Sequence, residues 1–167
     1  MQSKLPLEIE RKFLIEYPDK KLLEELSGGN FSDISQTYLV GEKGTSERVR
    51  ARTKDGVTVY THNTKIKLSS MKRIELEDEI GSEEYEKLLL RADPKCKTIE
   101  KVRYCVPHGG YVFEIDVFPF WSDKAFMEVE MQSEDAEVNL PDFVKIIREV
   151  TDDNRYTNHA LAIELPE

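Results

Sequence analysis

Apolar and charged residues alternate in short runs along most of the chain. Leu7–Ile15 reads LEIERKFLI. In an extended strand Ile9 and Phe13 share one face, and Glu8, Glu10 and Lys12 share the other. The same period of two predicts strands at Ile34–Val40, Glu47–Thr53, Val57–Ile66, Lys72–Ile80, Ile99–Pro107, Tyr111–Phe118 and Ala125–Gln132. Lys54-Asp55-Gly56 and His108-Gly109-Gly110 link neighbouring runs as hairpin turns. Helical signals are fewer. Pro18 opens and Gly28-Gly29 closes a stretch with Leu22, Leu23 and Leu26 on one stripe. Ser82 is expected to cap a helix running through Leu90, with Glu83 and Glu84 in its first turn. Pro141 is expected to start a third helix, PDFVKIIREV, and Asn158–Ile163 a short helical tail. No repeat or low-complexity linker divides the chain, so residues 1–167 are expected to form one domain. Hairpin-linked strands with few helices predict an α+β fold, an antiparallel sheet or closed barrel with helices packed on it.

The charged faces change this picture. Arg48, Arg50 and Arg52 share one strand face, and Lys65 and Lys67 another. Arg73, Glu75, Glu77 and Glu79 follow on the next strand. Lys101 and Arg103, then Glu114 and Asp116, then Glu128 and Glu130 complete the series. A sheet with one face in water also alternates, but it usually mixes signs. Here the runs mostly carry one sign, and like charges repel unless opposite charge lies across the sheet or in a ligand. If the sheet closes, those faces line a bore. Carboxylates two residues apart lie roughly 6.6 Å apart along a strand and can bracket a hard cation such as magnesium or manganese. Arginines and lysines opposite suit phosphate oxygens. Acids, bases and a metal in one cavity describe a polyphosphate site.

Composition supports a small ligand. Charged residues are 34% of the 167 and hydrophobic ones 39%. The net charge of −9 argues against a binder of duplex nucleic acid or of an anionic membrane surface. No apolar run is long enough to span a membrane, and MQSKLPLEIE carries no hydrophobic signal region, so a cytoplasmic location is expected. Cys96 and Cys105 are too few for a disulfide framework or a zinc site.

The ordered segments resemble a known family. Glu8-Ile9-Glu10-Arg11-Lys12 is similar to the ExExK strand of the CYTH superfamily, the triphosphate tunnel metalloenzymes. The similarity continues through QTYLV with Tyr38, ERVRAR, Lys65, RIELEDEI, EKVRY, FEIDVF, MEVEM and EVTDDNRYTNHALA. The resemblance implies an eight-stranded antiparallel closed β-barrel, a tunnel with helices packed outside. It implies a Mg2+ or Mn2+ cofactor held by Glu8, Glu10, Glu128 and Glu130, with Glu114 and Asp116 next in line. Lys12, Arg48, Arg50, Lys65, Arg73, Arg103 and Arg155 would hold phosphates. Lys12 and Tyr38 would serve catalysis, Tyr38 as proton acceptor, which requires cationic neighbours to lower its pKa. Arg52 and Lys67 either extend the basic wall or face solvent at its rim. His62, His108 and His159 receive no role. The loop FPFWSDKAF (Phe118–Phe126) departs from relatives that carry a glycine-containing turn, and its aromatics are read as a hydrophobic plug in preference to a lid or nucleobase shelf.

The function this implies is hydrolysis of triphosphate compounds, first of all inorganic tripolyphosphate to phosphate and pyrophosphate. The resemblance leaves thiamine triphosphate and RNA 5′ ends open as alternative hydrolase substrates. The alternatives are an adenylate cyclase of the same superfamily, making cyclic AMP from ATP, and a non-catalytic polyphosphate binder. Homodimers occur in such families, but no stretch of the sequence marks an interface.

Overall fold

Period-two alternation and two-residue turns organise most of the molecule. The computed structural model describes residues 7–41 and 44–166; residues 1–6, read above for a signal region, lie outside them. In chain order the described elements are β1 (Leu7–Glu16), α1 (Lys20–Leu26), β2 (Phe31–Tyr38), β3 (Thr45–Lys54), β4 (Val57–Lys67) and β5 (Lys72–Ile80). Then come α2 (Ser82–Leu89), β6 (Ile99–His108), β7 (Tyr111–Val117), β8 (Lys124–Glu130), β9 (Ile146–Glu149) and α3 (Asn158–Ile163). Between β3 and β4, Asp55 and Gly56 both adopt positive φ, 51° and 79°, as a two-residue hairpin loop requires.

The sheet runs β5-β4-β3-β2-β6-β7-β8-β1, all antiparallel, and closes through a β1–β5 pairing. This is the expected eight-stranded barrel, and closure leaves no free edge along most of the sheet. β1 divides its length between partners. Leu7–Ile9 pair with β5, and Glu10–Glu16 pair with β8 on the other side. β5 therefore leaves the backbone of Phe13–Ile15 open.

That opening corrects the expected PDFVKIIREV helix. Ile146–Glu149 is strand β9, paired to Phe13–Ile15. The open edge of β1 offers hydrogen bonds to any extended segment, and β-branched Ile146 and Ile147 favour that conformation. A second correction is local. Gly81, not Ser82, is the extended N-cap residue of α2, and it makes no side-chain cap bond. Ser82 is already the first helical residue.

Two apolar clusters set the inside and outside of the wall. Phe13, Ile15, Val106, Phe113, Ile115, Met127 and Val129 are buried with Leu23 of α1 and Val144. These lie on the outer face of β1 and β6–β8, under α1 and the segment before β9. Leu14, Tyr38, Phe118, Trp121, Phe126, Val150, Tyr156 and Leu161 form the other cluster. Leu14 and Phe126 are cross-strand partners on the same face as Lys12 and Glu128, so this cluster fills one end of the bore. The aromatic loop is thus a hydrophobic plug, as the sequence suggested. Phe118, Trp121 and Phe126 interlock at centroid distances of 5.1–5.5 Å, mostly edge to face.

Candidate functional site

The strand register carries each charged face onto the inside of the barrel. Arg73 lies opposite Glu8, Lys65 opposite Glu75, and Glu128 opposite Lys12. Gln36 lies opposite Arg50, and Tyr38 opposite Arg48. The resulting cavity of about 990 Å³ is lined by Glu8, Glu10, Lys12, Tyr38, Arg48, Arg50, Lys65, Arg73, Arg103, Glu114, Glu128 and Glu130. Glu75, Glu77, Arg52 and Lys67 line it as well.

The ionic contacts across this cavity are mostly open ones. Arg73 Nη2 stands 3.1 Å from Glu10 Oε1, Lys12 Nζ 3.3 Å from Glu128 Oε1, and Arg48 Nη2 3.6 Å from Glu75 Oε1. A closed charge-assisted bond is about 2.7–2.9 Å long. Among the described residues, the buried Nε–H groups of Arg48, Arg50 and Arg73 have no hydrogen-bond partner. Buried guanidinium donors without partners are costly unless an anion completes them.

Burial tunes the bases. It pushes Lys65 down to about 8, helped by the Arg48 charge, and Arg50 down to about 9, helped by Arg48 and Arg103. An incoming polyanion would push both back up. Burial also pushes the Tyr38 phenol up, and the opposing influence of Arg48 and Arg50 does not cancel it. That is the reverse of what a proton acceptor needs. A phenol kept protonated is a hydrogen-bond donor instead. Its ring stacks on His159 at 4.6 Å and 9°, and its hydroxyl accepts from Gln36 Nε2 at 3.3 Å.

A CYTH domain model matches residues 6–157. The chain belongs to the CYTH family. An inorganic triphosphatase of Nitrosomonas europaea is 32% identical over 163 residues, 95% of this chain and 99% of that protein. One of Acetivibrio thermocellus is 33% identical over 162 residues, 92% of each chain. A solved inorganic triphosphatase, 31% identical, superposes with a TM-score of 0.59 over 100% of this chain and 99% of its own. A conserved hypothetical protein from Pyrococcus furiosus, 22% identical over 77% of this chain and 80% of its own, shares the fold at a TM-score of 0.56.

Two residues expected in the CYTH site stand elsewhere. Asp116 does not line the cavity. It is fully buried, gripped by Arg103 at 2.8 and 2.9 Å and by Lys101 Nζ at 2.9 Å. Burial opposes its charge, but Arg103 and then Lys101 outweigh that and hold its carboxyl far below the usual range. Its charge is consumed inside the wall. Arg155 is also absent from the lining: its side chain is 65% exposed, and its guanidinium folds back onto Asp153 at 2.7 and 2.9 Å. Conversely, His159 lines the cavity although its tail position suggested no role.

The carboxylates suit a hard divalent cation. Glu10 stands directly opposite Glu130, and Glu114 opposite Glu128, on adjacent strands. Like charges so placed destabilise a sheet unless a cation lies between them. Among the described residues no three acidic, histidine or cysteine side chains are already gathered into a coordination shell. The acids instead share protons and borrow bases. Burial and a hydrogen bond with Glu75 push Glu8 up to about 8. Burial opposes the Glu75 charge, but Glu8, Lys65 and Arg48 outweigh it and hold Glu75 at about 2. Glu10 is raised by burial and the Glu128 charge, and Glu130 by burial and Glu114.

These shifts give a pH signature. From pH 4.5 upward the unfolded chain has released the Glu8 proton that the folded protein keeps. Through Glu8 the metal-free protein therefore loses stability as pH rises from 4.5 towards about 8, and Glu10 and Glu130 act in the same direction. A divalent cation takes the place of those protons. The rise in melting temperature on adding Mn2+ should grow between about pH 5 and about pH 7. Thermal melts with Mn2+ and with chelator test this. A rise that stays flat or shrinks across that range would disconnect these acids from metal binding.

Proposed function

We propose that this protein is a divalent-metal-dependent triphosphatase that hydrolyses inorganic tripolyphosphate to phosphate and pyrophosphate. One observation carries the reading. The unpartnered, buried Nε–H donors of Arg48, Arg50 and Arg73 belong to the same cavity as the carboxylates of Glu8, Glu10, Glu128 and Glu130. Cationic donors fixed before the ligand arrives suit phosphate oxygens, and facing carboxylates suit Mg2+ or Mn2+. The named activity of relatives matched along almost the whole chain points the same way.

Arg48, Arg50, Arg73 and Lys65 hold the triphosphate in register along the bore. Lys12, anchored between Glu128 and the face of the Phe126 ring at 4.0 Å, binds at the plugged end. A cation held by Glu8, Glu10, Glu128 and Glu130, with Glu114, Glu75 and Glu77 lining the same cavity, would neutralise phosphate oxygens and assist deprotonation of water. Water attacks the terminal phosphorus, one P–O anhydride bond breaks, and pyrophosphate leaves. Tyr38 donates a hydrogen bond to the bound phosphates. Most of the acceleration comes from positioning and charge stabilisation.

The aromatics of Phe118–Phe126 are spent in the plug, so they offer a nucleobase no shelf. Incubation with tripolyphosphate, ATP and thiamine triphosphate, with Mg2+ or Mn2+, should yield phosphate and pyrophosphate from tripolyphosphate at the highest rate. Cyclic AMP from ATP would overturn the reading in favour of a cyclase. Tight binding without product from any substrate would overturn it in favour of a binder.

A further inference from the structure

Asn63 on β4 has a fully buried side chain, and it is not part of the cavity surface. It sits behind two carboxylates that are. Its Nδ2 donates to Glu75 Oε1 at 3.0 Å and to Glu77 Oε1 at 2.9 Å. Its Oδ1 accepts from the Thr61 hydroxyl at 3.0 Å, and the carboxylates, which can only accept, fix which end of the amide faces them. Glu77 is its direct cross-strand partner and Glu75 the diagonal one. Every donor hydrogen of the amide is used, and both go to acids.

We propose that Asn63 is a positioning residue: its carboxamide aims Glu75 and Glu77 into the tunnel and keeps their charge available to the divalent cation. The proposal rests on the metal-dependent reading of the tunnel. Glu75 and Glu77 lie two residues apart on one strand face and repel each other. Arg48 and Lys65 already face Glu75, and a further lysine or arginine at position 63 would consume the charge the pair has left, as Lys101 and Arg103 do to Asp116. An amide engages one oxygen of each carboxylate and adds no positive charge. The acids stay oriented. Partners of this kind behind metal-facing carboxylates set metal affinity by about 10- to 100-fold.

The test is Asn63→Leu, which keeps the approximate volume and removes both donors, beside Asn63→Thr, which suits a strand and keeps one donor. Mn2+ binding to the substrate-free protein is measured by calorimetry, and the Mn2+ dependence of tripolyphosphate hydrolysis in parallel. Asn63→Leu should weaken Mn2+ binding about tenfold, and Asn63→Thr by less. The Mn2+ concentration for half-maximal rate should rise by the same factors, while the rate at saturating Mn2+ recovers to within a few-fold of the parent. A purely structural role would lower the melting temperature and the saturated rate but leave the Mn2+ affinity of the folded fraction unchanged. That result overturns the proposal, as does parental Mn2+ affinity in Asn63→Thr where Asn63→Leu does not fold. If the parent protein itself binds no Mn2+, the metal reading fails and this proposal fails with it. If the parent binds Mn2+ but hydrolyses no triphosphate, only the substrate assignment fails, and the calorimetry still decides the role of Asn63.

Discussion

A Glu10→Gln variant is expected to stay folded and to lose metal-dependent tripolyphosphate hydrolysis by at least about 100-fold, the upper end of what indirect metal partners cost. Glu10 is inward-facing on β1, opposite Glu130 and beside Glu128. Arg73 reaches its carboxylate at 3.1 Å. Glutamine keeps the shape and still accepts from Arg73, but it removes the negative charge. Burial already raises the Glu10 pKa, so the fold does not depend on that charge. Removing it relieves repulsion with Glu128, and the metal-free melting temperature should hold or rise. The same substitution at Glu130 should behave alike, since its carboxyl is also raised by burial and by its acidic neighbours. The readout is the rate at saturating Mn2+ beside a thermal melt in chelator. Metal-dependent activity retained in both variants would move the cation away from this pair.

Arg103→Ala is expected to destabilise the protein by about 3–5 kcal/mol, the cost of stripping one partner from a buried ion pair. Arg103 forks onto Asp116 at 2.8 and 2.9 Å and also meets Glu114 at 2.9 Å. Asp116 has no solvent exposure. Without Arg103 it would depend on Lys101, which burial already pushes down to about 7. A single lysine would then face a fully desolvated carboxylate. The loss is a large share of an ordinary domain's stability of about 5–15 kcal/mol. Urea unfolding measures it. The double variant Arg103→Ala, Asp116→Asn should recover much of the loss, because both charges leave together. A cost below about 1 kcal/mol would mean that Arg103 serves the ligand and not the wall.

The contrast between Asp116 and Glu114 shows where sequence reading ran out. Both belong to one charged face of β7, and period two cannot separate them. Asp116 lies opposite Arg103, with Lys101 within reach, and is sealed in the wall; Glu114 faces the cavity. Depth along the bore and the cross-strand neighbours make that difference. Tyr38 is a similar case. A proton-acceptor role requires cationic neighbours, and Arg48 and Arg50 do lower its pKa, but burial wins. Asn63, uncharged within a run of threonines, carried no visible signal until β5 was laid beside it. Strand β9 was misread as a helix because its pairing edge exists only where β5 falls short along β1.

The amino-acid order alone determined the eight barrel strands, their hairpins and the sign of each charged face. These follow from contacts between near neighbours: side-chain alternation, turn chemistry and the repulsion of like charges two residues apart. Closure of the barrel decided the rest. It turned those faces inward, seated Tyr38 against His159 from the far end of the chain, and sorted the acids into those that face the cavity and those spent in the wall. Such outcomes depend on which strands become neighbours and how deeply each group leaves water, and both are properties of the assembled sheet.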